Sequence, residues 1–277
     1  MKIKKILNNN TLLVNDKGVE KIVIGSGIGF QKRVNDIVDK TKIEKVFVME
    51  DKSEYEKFEE IVKSYPQEYV DVAENIIHYA EQKLNVELNP HIYIALTDHL
   101  AFAFERLKKG IVVQNKLLEE IRSLYFDEFK IGIWAKDYIK QKLNIEIPDD
   151  EIGFIALHIH TAKNNYRDIS VTMDIASIIK DMTKIIEASL NIKIDEASVS
   201  YQRLKTHFHF ALKRIIKNER TFGIDMELFE VIKNKYSKAY NIAKNIQKHI
   251  YEEYDYTMPD EELAYISLHI QRIINSA

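Results

Sequence analysis

The sequence predicts a multidomain protein of mixed α and β class, in which a small antiparallel β-sheet domain precedes two tandem all-α helical-bundle modules. Residues 1–50 contain short runs of branched apolar residues separated by Asn, Asp and Gly, which is typical of strands joined by tight turns. After residues 51–53 glycine becomes rare and apolar residues recur at intervals of three and four, which indicates helices. Because the helical part contains an internal repeat, we place the domains at residues 1–55, 60–169 and 170–277.

The predicted sheet has four strands, at residues 2–7, 11–15, 19–25 and 43–49. Branched side chains fill these runs and favour extended backbone. A single sheet of roughly 50 residues cannot bury enough apolar surface by itself. We therefore expect the sheet to pair with a second copy and the protein to be a homodimer.

Two blocks of the helical part occur twice in the same order. Residues 148–159 (PDDEIGFIALHI) match residues 259–270 (PDEELAYISLHI) at an offset of 111, with seven of twelve positions identical. Residues 96–107 match residues 204–215 at an offset of 108. Two blocks repeated in one order at nearly one spacing indicate a duplicated module.

Four histidines occupy matched positions in the two modules: His99 and His158 in the first, His207 and His269 in the second. Pro148 and the acidic residues after it predict a helix start, and at about 100° per residue His158 lies at the edge of the buried stripe of that helix. His269 has the same position in the second copy. The four histidines are candidates for a shared chemical role, and duplicated packing residues with satisfied hydrogen bonds are the alternative.

Arg106 and Arg214 follow His99 and His207 by seven residues, which is two helical turns on the same face. A guanidinium at this position can stabilise a negative group carried by the histidine, so we treat both arginines as candidate phosphate-supporting residues. A solvated surface cation is the alternative.

The adjacent His160 and His209 raise the hypothesis of a His/carboxylate metal-dependent hydrolase. Residues two apart on a helix point about 200° from each other, whereas chelation from one face favours a spacing of four. Neither histidine has a counterpart in the other module. The sequence contains no serine in a nucleophile-elbow motif and no carboxylate pair within a recognisable catalytic motif. We therefore expect no catalytic residue, no metal and no cofactor.

Composition and charge further limit the kinds of site, the compartment and the partners that we expect for this protein. The chain has no cysteine, which excludes disulfides, thiolate zinc sites and a cysteine nucleophile. The basic first residues do not lead into an apolar signal segment, and no stretch approaches the ~18 apolar residues of a membrane span, so we expect a cytoplasmic protein. Residues 1–50 carry ten Lys or Arg against six Asp or Glu, whereas the remainder carries 30 against 37. This asymmetry favours a polyanion as the partner of the first domain alone.

Two segments of the first domain combine features of nucleic-acid recognition. Residues 8–10 (NNN) follow Lys4 and Lys5, and residues 25–33 (GSGIGFQKR) place Phe30 beside cations. Amides can read base edges, cations bind phosphates, glycines allow close approach, and an aromatic ring stacks on bases. No helix-turn-helix pattern precedes the helical part, so RNA is favoured over DNA, and a phosphorylation-controlled DNA-binding activator is the alternative.

At these residues the sequence resembles the BglG/SacY-type family of transcriptional antiterminators over essentially its whole length. The similarity to the co-antiterminator RNA-binding domain of that family lies in residues 1–10, 27–32 and 43–47. The similarity to its two PTS regulation domains, which respond to the sugar phosphotransferase system, lies in residues 96–99, 154–159, 206–207 and 268–270.

The resemblance implies a homodimer that binds a hairpin in a nascent leader mRNA, prevents formation of an overlapping terminator hairpin and so activates sugar-utilisation genes. The implied RNA-contacting residues are Lys5, Asn10, Gly25, Ser26, Phe30, Gln31 and Lys32. Ser26 departs from the arginine that some members carry. The four repeated histidines are the implied phosphoryl acceptors: the phosphocarrier protein HPr acts mainly on those of the second module, and a sugar-specific PTS permease acts negatively on those of the first.

Overall fold

The chain begins with a four-stranded antiparallel sheet of order β1-β2-β3-β4 in this computed structural model, which describes residues 1–48, 52–166, 168–219 and 223–276. The strands are β1 (Lys2–Ile6), β2 (Thr11–Asp16), β3 (Val19–Ile24) and β4 (Lys45–Phe47). Lys17 and Gly18 join β2 to β3 with positive φ values of 55° and 92°, which is the backbone of a two-residue type I′ hairpin turn. The predicted sheet is confirmed, and Met49 at the end of the predicted fourth strand lies outside the described residues.

The sheet buries apolar side chains on both faces. Along β2, Leu12 and Val14 point to one face and Leu13 points to the other, because strand side chains alternate. The first face forms a small core of its own, which consists of Ile3, Leu12, Val14, Val23, Ile28 and Val38. The sheet therefore has an apolar second face that also needs a cover.

Helices of the same chain cover that second face. Leu13, Ile22 and Ile24 are at most 3% exposed and belong to one cluster with side chains of the first helical module, including Ile76 and Ile77. The sequence argument for a dimer assumed that a second copy of the sheet supplies this burial. In this structure the first helical module buries that face of the sheet. The need to bury apolar surface therefore no longer requires a second copy, and dimerisation stays a prediction.

The rest of the chain is helical. One helix, α1 (Lys52–Ser64), connects the sheet to the first module. The first module contains α2 (Gln67–Leu84), α3 (Ile92–Lys108), α4 (Leu118–Leu124), α5 (Phe126–Leu143) and α6 (Asp149–Lys163). The second module contains α7 (Ile169–Leu190), α8 (Val199–Ile216), α9 (Met226–Lys235), α10 (Ser237–Tyr254) and α11 (Asp260–Ser276).

The two modules have the same packing, as the internal repeat predicts. In the first module α2 packs on α3 and α5, and α6 packs on α3 and α5; in the second module α7 packs on α8 and α10, and α11 packs on α8 and α10. Left-handed residues end matching helices as well: Asn85 and Asn191 follow α2 and α7, while Asn144 and Asp255 follow α5 and α10. Asn and Asp tolerate this conformation better than most residues, so they are suitable helix stops.

The chain separates into two compact units, Met1–Arg167 and Asp168–Ala277. The first unit contains the sheet and the first helical module, and the second unit is the second module. Among the helices of the described residues, none has the length and apolar character needed to cross a membrane.

Candidate functional site

Each module brings its two repeated histidines together on a pair of packed helices. The rings of His99 on α3 and His158 on α6 have centroids 4.9 Å apart. The rings of His207 on α8 and His269 on α11 have centroids 5.1 Å apart. Residues that are about 60 positions apart in sequence thus form one pair per module, in the same place in both.

A buried carboxylate joins each pair to the arginine predicted from sequence. In the first module Glu151 is fully buried, forms an ion pair with Arg106, and places Oε2 3.0 Å from Nε2 of His99. Glu151 lies in the first turn of α6, where the helix dipole also stabilises negative charge. Arg106 is therefore not an isolated surface cation, since its partner is already within the module.

The second module repeats this arrangement. Glu262 is 3% exposed, and its Oε1 lies 2.5 Å from Nη2 of Arg214. Its Oε2 lies 3.7 Å from Nε2 of His207, a looser contact than in the first module. Sequence reasoning did not single out either glutamate. The signal was present, because both occupy identical positions in the repeated block that contains His158 or His269.

The surroundings of His158, His207 and His269 favour the neutral form of each ring. Burial lowers the pKa of His158 well below its usual value, and the neighbouring His99 lowers it further. Burial, with His207 and nearby arginines, lowers the pKa of His269 to about 4. Burial also lowers the pKa of His207, although the charge of Glu262 opposes this. A neutral imidazole has an unprotonated ring nitrogen that can act as a nucleophile.

One of the two histidines that suggested a metal site, His160, contacts a carboxylate and an aromatic ring. Nδ1 of His160 lies 3.1 Å from Oε1 of Glu128, and its ring stacks on Tyr125 at 3.9 Å. Burial alone would raise the pKa of Glu128, but bonds from His160 and Lys163 lower it to about 2. Across the part of the chain that the structure describes, no group of three His, Asp or Glu side chains has the geometry of a metal site.

The predicted RNA-contacting residues fall into two groups. Lys5 and Asn10 lie at the end of the sheet that contacts the helices, and both are bound to carboxylates of the helical part. Lys5 forms an ion pair with Glu59, and Nδ2 of Asn10 donates to Oδ1 of Asp71 at 3.0 Å.

The second group lies in the loop that follows β3. Phe30 is 58% exposed and Gln31 is exposed, whereas Gly25 is buried. A Cβ at Gly25 would lie 1.8 Å from the carbonyl oxygen of Lys42, so packing alone requires glycine there. Ser26 is exposed and its N–H donates to Glu44 at 3.0 Å, while Lys32 is partly buried.

Backbone and amide hydrogen bonds hold the two predicted RNA-binding segments together. The N–H of Gly27 donates to Oδ1 of Asn10 at 2.8 Å, and the N–H of Gly25 donates to the carbonyl of Asn10 at 2.9 Å. The N–H of Gly29 donates to the carbonyl of Asn9 at 2.9 Å. Segments 8–10 and 25–32 therefore form one surface. Within residues 1–48 the helical structure is limited to the turn Lys40–Lys42, so this surface offers no recognition helix to a DNA groove.

This combination of a sheet domain and two histidine-bearing modules defines an RNA-binding regulator of the antiterminator class. The family model described as the CAT RNA binding domain matches residues 1–56, and the model described as the PRD domain matches residues 74–162 and 180–273. The chain belongs to the BglG-type family of transcriptional antiterminators, which the resemblance predicted.

Similar proteins span the whole chain. It is 39% identical to the transcription antiterminator LicT of Bacillus subtilis (strain 168), with 100% of each chain covered. It is also 39% identical to the beta-glucoside operon antiterminator of Dickeya chrysanthemi, with 99% of this chain and 96% of that protein covered. The crystal structure of GlcT CAT-PRDI is 41% identical, covers 58% of this chain and 97% of its own, and superimposes with a TM-score of 0.53.

Proposed function

We propose that this protein is a transcriptional antiterminator that binds a hairpin in a nascent leader mRNA and thereby prevents formation of an overlapping terminator hairpin. The match to an RNA-binding domain and the full-length similarity to named antiterminators support this. The observation that carries the proposal is the surface formed by segments 8–10 and 25–32, where the ring of Phe30 is 58% exposed. An exposed aromatic ring beside amides and lysines suits unpaired RNA bases.

The surface offers a distinct role to each kind of side chain. Phe30 stacks on a base, Asn10 and Gln31 read base edges, and Lys5 and Lys32 contact phosphates. The exposed Ser26 lets the RNA backbone approach the loop, and the glycine at position 25 keeps this loop packed on Lys42. The proposed RNA-contacting residues are Lys5, Asn10, Gly25, Ser26, Phe30, Gln31 and Lys32.

We further propose that the paired histidines accept phosphoryl groups from proteins of the sugar phosphotransferase system. HPr acts mainly on His207 and His269, and a sugar-specific permease acts on His99 and His158. In each transfer an unprotonated ring nitrogen attacks the phosphorus of the donor. The new N–P bond forms while the bond between phosphorus and the donor's side chain breaks, and the donor's side chain leaves with the electron pair of that bond. The lowered pKa of His158, His207 and His269 supports this role.

A phosphoryl group on these histidines changes the electrostatics of the helix pair. It carries close to two negative charges, so it repels the buried Glu151 or Glu262 and attracts Arg106 or Arg214. When His99 or His207 carries the group, the arginine has two competing partners on different helices. The contact of α3 with α6, or of α8 with α11, is therefore the element that phosphorylation alters.

The proposal also covers assembly and compartment. We propose a cytoplasmic homodimer without enzymatic activity, with domains at residues 1–55, 60–169 and 170–277, in which phosphorylation controls RNA affinity through pairing of the two sheet domains. Relatives named as antiterminators over nearly the full chain support a regulatory role.

The test is binding of the full chain to an RNA hairpin selected in vitro for affinity to it, with duplex DNA of the same sequence as competitor. We expect hairpin-selective binding, and we expect Phe30→Ala to weaken it by roughly tenfold or more because a stacking contact is lost. Phe126→Ala is the matched control, since Phe126 is 56% exposed but lies on α5.

Equal binding to duplex DNA would reject the proposal in favour of a DNA-binding activator. Equal losses of RNA affinity in Phe30→Ala and Phe126→Ala would reject the assigned RNA surface. The loss would then follow from removal of any exposed aromatic ring and not from the position of Phe30.

A further inference from the structure

We infer that an acidic edge of the helical part, which we define as Glu59, Asp71, Glu74 and Glu81, is an interaction surface that competes with RNA for the sheet domain. Its occupant in the structure is the RNA-contacting end of the sheet in the same chain. The inference rests on the proposed RNA contacts of Lys5 and Asn10, and it adds the surface against which RNA has to compete.

Two of the contacts hold proposed RNA-contacting side chains directly. The ammonium of Lys5 pairs with Glu59, whose side chain is only 15% exposed. The amide of Asn10 donates to Asp71, and Gln67 donates to the same oxygen at 2.7 Å, which fixes that carboxylate in place. Both donors are therefore directed at carboxylate oxygens, which resemble the phosphate and base oxygens that RNA would present.

Two further contacts extend the acidic edge along the sheet. The hydroxyl of Thr11 donates to the buried Glu74 at 3.2 Å, and Lys45 on β4 pairs with Glu81. All four acidic residues come from α1 or α2, and all four partners come from the sheet domain. The charges are complementary at two of these contacts, where Lys5 meets Glu59 and Lys45 meets Glu81.

The hydrogen bonds of Asn10 show why the two occupants exclude each other. Its Oδ1 accepts from Gly27 at 2.8 Å and its Nδ2 donates to Asp71 at 3.0 Å, so both ends of the amide are engaged within the protein. An RNA base that accepts the N–H now directed at Asp71 has to displace that carboxylate. Phe30 and Gln31 are exposed and contact RNA without any such displacement. RNA therefore binds the loop freely and gains the sheet end only at the expense of the acidic edge.

The test compares full-length double variants for affinity to the selected RNA hairpin. We expect Glu59→Ala with Asp71→Ala to bind roughly tenfold more tightly than the wild type, because Lys5 and Asn10 are released. Glu119→Ala with Asp127→Ala is the matched control, since both residues are exposed and away from the sheet. It changes the net charge equally, so the difference between the two double variants removes the general effect of charge on RNA binding.

Two additions make the result specific. Glu59→Gln with Asp71→Asn keeps side-chain shape and removes only charge, so it is used if the alanine variant does not fold. We expect Lys5→Ala to weaken RNA binding more when it is added to either Glu59/Asp71 double variant than when it is added to the wild type. The reason is that only a lysine released from Glu59 contributes fully to RNA contact.

The outcomes separate the inference from the proposed function. RNA binding that is the same in the Glu59/Asp71 variant and in the control overturns the inference alone. Weaker binding in the Glu59/Asp71 variant also overturns it, because the carboxylates would then orient Lys5 and Asn10 for RNA. No hairpin-selective binding by any variant or by the wild type overturns the proposed function together with the inference.

Discussion

At the scale of single residues, each module places a buried carboxylate between an arginine and a histidine. Glu151 is fully buried, and its two oxygens face Arg106 and His99. A buried ion pair contributes little net stability compared with an apolar contact, but removal of one partner leaves an uncompensated charge. The glutamate therefore couples the fold of the module to the position of its histidine.

We expect Glu151→Ala to destabilise the first unit by about 3 kcal/mol, because it leaves Arg106 buried without its partner. Urea unfolding followed by fluorescence measures this cleanly, since Trp134 is the single tryptophan and stacks on Tyr79 within that unit. Glu119→Ala, at a residue whose side chain is 72% exposed, is expected to change stability by less than about 0.5 kcal/mol. Equal effects of the two variants would contradict the assigned role.

At the scale of elements, a titratable group lies between β2 and α2. Burial, together with the charge of Asp71, raises the pKa of Glu74 to about 8, although the hydrogen bond from Thr11 opposes this. The carboxyl group is therefore protonated in the folded protein at neutral pH. A contact between the sheet and the first module thus depends on pH in a range where most carboxyl groups are fully ionised.

This raised pKa predicts the sign of a pH effect. Protonation of Glu74 favours the folded state below its unfolded pKa of 4.5, and this contribution is lost as pH rises from there to about 8. Glu74→Gln keeps an uncharged group beside Thr11, so we expect the variant to gain stability relative to the wild type as pH increases from 5 to 8. Urea unfolding at several pH values, followed by Trp134 fluorescence, measures the difference. If the unfolding free energies of the wild type and of Glu74→Gln change with pH in parallel, Glu74 is ionised in the folded state and the prediction is wrong.

At the scale of the whole molecule, the protein combines the proposed RNA-contacting surface with two modules that each contain a histidine pair. The first module contacts the sheet directly through the acidic edge. Its histidine pair involves α3, which packs on α2, the helix that carries Asp71 and Glu74. A shift of α3 on phosphorylation therefore has a short physical path to the RNA-contacting end of the sheet.

The second module provides a test of control by phosphorylation. His269→Asp adds a negative charge that mimics a phosphoryl group, and we expect it to increase both the dimer fraction and the affinity for the selected RNA hairpin. Sedimentation equilibrium and RNA titration of the full chain measure the two quantities. His269→Ala removes the ring without adding charge and is the control. Unchanged dimerisation and RNA affinity in the aspartate variant would contradict the proposed control.

Local patterns in the sequence predict much of this structure. Runs of branched residues separated by Asn, Asp and Gly predict β2 and β3, because strand and turn preferences act over a few neighbouring residues. Repeated blocks predict two matching modules and the four histidines, because duplication preserves spacing. The glutamates of those blocks were overlooked, since a charged residue in the first turn of a helix usually needs no explanation beyond the helix dipole.

The sequence by itself determined the order of domains, the helix and strand types, the duplication and the identity of the paired histidines. Only the tertiary structure decided that Glu151 and Glu262 are buried between arginine and histidine, and that Leu13, Ile22 and Ile24 pack on the first module. It also decided that Asn10 meets Asp71 across a separation of 61 residues. Periodicity identifies which face of a strand or helix is apolar, but it does not identify the partner. That partner depends on how separate elements pack, and packing is a property of the whole chain.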